Sequence, residues 1–206
     1  MPRSTLESAP DTIRTVANEC KVKGQSFRAF LAALDTLKGR KAVVITIAGL
    51  PREIREAIER NKIVTSGWYP MSWYAALHSS AKRACPGAVD LARKLGQEQM
   101  RAEMTGIYKF VLSFFKPSTI MQHSGRVWSL YCQGGKLNVT EAGPTFARFV
   151  YEDCHGSDAN VWFDTIGSAE VLLQLAGARD VRVDVKSGGG DGDATMTAEL
   201  HWALER

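Results

Sequence analysis

The chain has 206 residues, 45% of them apolar and 23% charged, which suits one sizeable core. The net charge of +4 is modest and does not by itself point to a nucleic-acid partner, and none is expected. No run of about 18 uninterrupted apolar residues occurs and Met1 to Glu7 lack an apolar stretch, so neither a membrane span nor a secretory signal is expected and a cytoplasmic location is.

Residues 1–10 read as a loose tail, and residues 11–206 as a single α+β domain. Thr12 to Lys23 has the composition of one or two short strands around Ala17 and Asn18. From Gln25, the positions Phe27, Phe30, Leu31, Leu34 and Leu37 follow a helical period that ends near Gly39. Residues 42–48 are strand-like by their Val and Ile content and helix-like by their place between two helices; helix is the expectation. Pro51 opens a short helix carrying Ile54, Ala57 and Ile58, and Tyr69-Pro70 or Ser72 opens another reaching about Ala84. Beyond Pro86-Gly87, residues 89–115 read as the longest helix, with Gly106 as a kink. Pro117 starts a further helix through Ile120, Val127 and Leu130, stopped by Gly134-Gly135.

The last third changes period. Leu137, Val139 and Glu141 alternate up to a Gly143-Pro144 turn, and Phe146, Ala147, Phe149 and Tyr151 follow in a second extended run. After Gly156-Ser157-Asp158 the spacing of Val161, Phe163, Ile166, Ala169, Leu172 and Leu173 is helical, with Gly177 as the stop. Val181, Val183 and Val185 then alternate with Arg182, Asp184 and Lys186. Met196, Ala198, Leu200 and Trp202 alternate with Thr197, Glu199 and His201. N-terminal helices packed on a C-terminal, meander-like antiparallel sheet of strand-strand-helix-strand-strand order follow from this pattern: an α+β fold.

Chemistry-bearing motifs are few. Cys20, Cys85, Cys132 and Cys154 are widely spaced and suit free thiols. The stretch Ser187 to Asp193, with glycine at 188, 189, 190 and 192, lies between strands, lacks a Lys-Ser/Thr ending and holds two aspartates, so it reads as a flexible hairpin and not a phosphate cradle. His78 and His123 fall in helical segments where a haem ligand is conceivable, but no Cys-x-x-Cys-His attachment exists. Cys154-His155 places a thiol beside a base, with the two side chains directed to opposite faces. No metal, no cofactor and no enzymatic constellation are expected.

Aromatic residues are the better sign of a site. Trp73, Tyr108, Trp128, Tyr131, Phe149 and Trp162 are the candidate ligand-binding residues, because rings with a polar tip line apolar pockets and orient what they hold. The same rings also serve as ordinary core. Residues 1–135 carry 20 Lys and Arg against 10 Asp and Glu, and residues 136–206 carry 6 against 12. That asymmetry suits an acidic partner or self-association, and equally plain solvated helix faces. The basic residues are scattered without a nucleic-acid motif.

Lys21-Val22-Lys23-Gly24, Gly67-Trp68-Tyr69-Pro70, Thr105-Gly106 and Val127-Trp128-Ser129-Leu130-Tyr131 resemble a myxobacterial paralogue family of unknown function, itself similar to small-molecule-binding domains of 4-vinyl reductase type. The resemblance implies a ligand-sensing α+β fold, usually a homodimer. It also implies a zinc site, but Lys186 or Ser187, Ala194 or Thr195, and Val161 stand where the family's cysteines are expected, so no structural zinc is expected here. Three readings remain: first a non-enzymatic sensory domain for a hydrophobic or aromatic small molecule, signalling through an unidentified protein partner; second an interaction module that has lost ligand and zinc binding; and last an enzyme, for which the sequence names no converging polar pair.

Overall fold

A computed structural model gives the protein's architecture and describes residues 18–105 and 114–204. The expected tail at residues 1–10 lies outside the described residues. The chain enters through β1 (Lys21–Lys23), and α1 (Gly24–Lys38), α2 (Arg40–Ala48) and α3 (Arg52–Glu59) follow. Residues 42–48 are therefore helical: Val43 and Thr46 are buried against α1 and α4, while Val44 and Ile45 face solvent. Position between helices overrides β-propensity there.

β2 (Trp68–Pro70) leads directly into α4 (Met71–Ala84), whose first turn is capped by the Glu19 carboxylate on the Ser72 amide. α5 (Leu91–Glu103) is the described part of the expected long helix. It ends at Glu103, with Met104 and Thr105 outside helical geometry, so residues 89–105 do not form one uninterrupted helix; Gly106 and the stretch to 113 lie outside the described residues. The segment expected as one helix from Pro117 is two, α6 (Pro117–Gln122) and α7 (Ser124–Tyr131), separated at His123. Met121 and Ser124 are both buried, and the break turns each helix's packed side inward.

β3 (Cys132–Gln133) pairs with β1, which also pairs with β2, giving a small antiparallel sheet that the sequence pattern does not announce. Asn18 is in a turn, and the strand expected near it begins at Lys21.

β4 (Lys136–Ala142), β5 (Phe146–Glu152), α8 (Ala159–Leu175), β6 (Ala178–Gly188) and β7 (Met196–Leu204) reproduce the strand-strand-helix-strand-strand order. The sheet is antiparallel, but its spatial order is β4-β5-β7-β6 and not a meander. The chain crosses from β5 to the far edge through α8, and the final hairpin returns β7 to the centre. That placement follows burial: β7 has Met196, Ala198, Leu200 and Trp202 inside, whereas β6 is charged along its length.

The inner sheet face supplies Ala147, Phe149 and Tyr151 to the core, and α8 covers it with Val161, Trp162, Val171 and Leu172. The outer face carries a cross-strand charge set in which Glu199 accepts from Arg148 Nη2 at 2.7 Å and pairs with Lys186 Nζ at 3.0 Å. Those partners hold the Glu199 carboxyl down to about 2.

The glycine-rich turn between β6 and β7 is anchored. Asp193 Oδ2 accepts from the Gly190 amide at 2.8 Å, and Asp191 Oδ1 accepts from the Ala159 amide at 3.0 Å, at the start of α8. Asp158 caps the same helix by accepting from Val161 N. The two aspartates thus have structural partners and no cradle for phosphate is formed.

Candidate functional site

α5 and α8 cross with almost no space between their backbones. A Cβ on Gly96 would stand 2.0 Å from the Asp164 carbonyl oxygen, and one on Gly167 would stand 2.1 Å from that of Arg93. Ser168 Oγ bridges the crossing by donating to Gly96 O at 3.1 Å. Residues of both helices and of the inner sheet face border a common space beside this contact. A cavity of about 140 Å³ opens there, walled by Met71, Met121, Trp128, Phe149, Tyr151 and Leu172 among others.

One wall of this inner cavity is polar. Gln99 Nε2 donates to Asp164 Oδ1 at 2.7 Å, and the Tyr74 hydroxyl lies 3.1 Å from Gln99 Oε1 and 3.3 Å from Asp164 Oδ2. Tyr74 has a single proton for two acceptors. Burial pushes the Asp164 carboxyl up to about 8, so at neutral pH it is protonated. A proton on Oδ2 donates to the Tyr74 oxygen, Tyr74 donates to Gln99, and Gln99 returns a bond to Asp164. All three buried side chains then form a closed ring that bears no charge. His78 lies behind it, edge-on to Phe30 and Tyr74, with Nε2 at 3.8 Å from Asp164 Oδ1, too far for a hydrogen bond. Desolvation drops His78 to about 3 and keeps it neutral.

Glu103 closes the other end. Its Oε1 accepts from Gln25 Nε2 at 3.0 Å and its Oε2 from the Tyr131 hydroxyl at 2.9 Å. Glu103 also borders an outer cavity of about 520 Å³ that shares Val127, Tyr131 and Leu172 with the inner one and adds Lys23, Phe115 and His123.

Of the aromatic residues singled out from sequence, Trp128, Tyr131 and Phe149 line the inner cavity. Trp162 is fully buried behind Tyr151, with ring centroids 5.5 Å apart, and is core. Trp73 stacks on Tyr69 at 6.0 Å, away from the cavity, because α4 turns it toward β2. Tyr108 lies outside the described residues. Tyr74, Gln99, Glu103 and Asp164 were missed. A legible signal did exist for Asp164: Val161, Asp164, Ser168 and Leu172 recur at helical spacing, which sets a carboxylate in the buried stripe of α8.

One thiol, Cys132, lines the inner cavity among the described residues. Cys132 and Cys154 are buried, burial pushes the Cys154 thiol up to about 12 and the Cys132 thiol well above its usual range, and Cys154 Sγ donates to Glu152 O. Cys20 and Cys85 are likewise free thiols.

No family model and no curated protein matches the chain. Solved structures do. An H-NOX protein from K. algicida in the Fe(II) unliganded form has a TM-score of 0.65 at 15% identity, over 89% of this chain and 97% of that one. An oxygen-binding H-NOX domain related to soluble guanylate cyclases has 0.60 at 10% identity, over 87% and 94%. An H-NOX structure solved to probe haem distortion in that family has 0.61 at 11%, over 89% and 98%. The fold is therefore H-NOX-like: a mixed α+β arrangement of helices with a C-terminal sheet. These neighbours are not domains of 4-vinyl reductase type, so the short motifs pointed to a different set of proteins from the one whose fold this chain shares.

Haem is thus the group to test against these side chains. An axial ligand is an imidazole, a thiolate, a phenolate, or a thioether opposite an imidazole. Among the described residues no histidine, lysine or arginine lines the inner cavity. Its Cys132 thiol and its Tyr74 and Tyr151 hydroxyls are all pushed up by burial and keep their protons. A volume of about 140 Å³ is also below the roughly 300 Å³ at which pockets for drug-sized ligands begin. The remaining phenol on its wall, Tyr131, has its hydroxyl committed to Glu103, so among the described residues the inner cavity does not fit a haem. His123 borders the outer cavity at an exposed position between α6 and α7.

Proposed function

We propose that this protein is a non-enzymatic sensory domain that takes a small, largely apolar organic molecule, without haem, in the cavity between α5, α7, α8 and the sheet. It passes the occupied state to a protein partner. The observation that carries this reading is the inner cavity itself: aromatic walls, a satisfied polar ring at one end and an oriented carboxylate at the other. A void of this size matches the engineered apolar cavity of about 150 Å³ that takes one benzene.

The alternative, an interaction module, draws on Phe115 and Leu130, which are 45% and 60% exposed beside the outer cavity. Native mass spectrometry before and after denaturation separates the two. Release of a small organic mass, or a rise in Tm on adding single-ring aromatics, is expected for the sensor. Absence of both, together with loss of partner or self-association in Leu130→Asp, would favour the interaction module.

A further inference from the structure

The two ends of the inner cavity differ in the charge they tolerate. At the inner end, Asp164 is neutralised within the Tyr74 and Gln99 ring. At the outer end, the Glu103 carboxylate is held only by neutral donors, and among the described residues no Lys, Arg or His nitrogen pairs with it. Lys23, the lysine that borders the outer cavity among the described residues, has its Nζ over the Trp68 ring at 5.5 Å. Each Glu103 oxygen accepts one hydrogen bond and keeps a second acceptor site. Carboxylate and aromatic faces are the features that bind an ammonium: Tyr131 is hydrogen-bonded to Glu103, and Trp128 meets Tyr151 at 5.3 Å on the same wall. An anionic ligand in the inner cavity would face Glu103 with no Lys, Arg or His among the described lining residues to balance it.

We infer that the cavity selects a small hydrophobic amine, with one ring or a branched hydrocarbon body against Phe149, Trp128 and Leu172 and the ammonium hydrogen-bonded to Glu103. The inference rests on the sensory reading above and adds the ligand's chemical class. A body of one ring matches the inner volume, and the outer cavity past Glu103 is the entry.

Three probes of one shape test it by isothermal titration at pH 7: 2-phenylethylamine, 2-phenylethanol and phenylacetate. The amine is expected to bind about tenfold tighter than the alcohol, with phenylacetate weakest. In Glu103→Gln, amine and alcohol are expected to converge. Should that variant fail to fold, the amine-to-alcohol ratio in the unaltered protein decides by itself. Equal binding of amine and alcohol, or tightest binding of phenylacetate, overturns the amine assignment while the sensory reading stands. Binding of none of the three overturns both.

Discussion

Asp164 and His78 are close neighbours whose buried states pull stability in opposite directions with pH. The folded protein keeps the Asp164 proton up to about 8, whereas the unfolded chain releases it near 3.8. Between those values the unfolded state binds fewer protons, so Asp164 lowers stability by about 1.4 kcal/mol for each unit of rising pH. His78 acts the other way between about 3 and 6.5, where the unfolded chain binds the proton that the folded protein refuses. The two slopes offset each other from about pH 4 to 6.5, and above 6.5 only the Asp164 loss remains. Chemical denaturation is therefore expected to give a plateau between about pH 4.5 and 6.5 and a decline from 6.5 to 8. Asp164→Asn preserves the ring geometry, with the amide donating to Tyr74 and accepting from Gln99, and is expected to abolish the decline and to be the more stable form at pH 8. A decline unchanged in that variant would assign it to another group.

At the scale of elements, the α5–α8 crossing sets the cavity. Arg93 of α5 forks onto Glu170 of α8, Nε donating to Oε2 at 2.9 Å with a second, shorter bond from Nη2, and Gln97 Nε2 donates to the same carboxylate at 2.8 Å. Glu170 is 2% exposed, so it is tolerable only while paired. Arg93→Ala is expected to cost about 3 kcal/mol by leaving that charge buried without its partner, and Arg93→Ala with Glu170→Gln to recover part of the loss; urea melts of the two variants check this. Gly96 and Gly167 were unremarkable in the sequence, where each merely weakens a helix. Their role appears only when the partner backbone is seen at van der Waals range.

For the molecule as a whole, an H-NOX-like fold encloses an inner cavity with largely apolar, aromatic walls and, at its border, the Glu103 carboxylate hydrogen-bonded to Gln25 and Tyr131. Hemin titrated into the protein is expected to leave the Soret band without a saturating one-to-one transition. A saturable transition lost in His123→Ala would show instead that the outer cavity supplies an iron ligand. The basic N-terminal and acidic C-terminal segments meet across the same interface, where Arg93 pairs with Glu170, so part of that asymmetry is internal complementarity.

The helical and alternating periods determined the α+β fold class and the order of the last five elements, because local side-chain pattern and turn residues suffice for these; residues 42–48, strand-like by composition, were expected as helix only from their place between two helices. Aromatic content likewise pointed to Trp128, Tyr131 and Phe149. The break at His123, the central position of β7, the displacement of Trp73 and Trp162 from the cavity, and the ring of Tyr74, Gln99 and Asp164 were decided by tertiary structure alone. Each depends on which distant backbone comes close: 25 residues separate Tyr74 from Gln99 and 65 separate Gln99 from Asp164, and a hydrogen bond over such separations leaves no period in the chain.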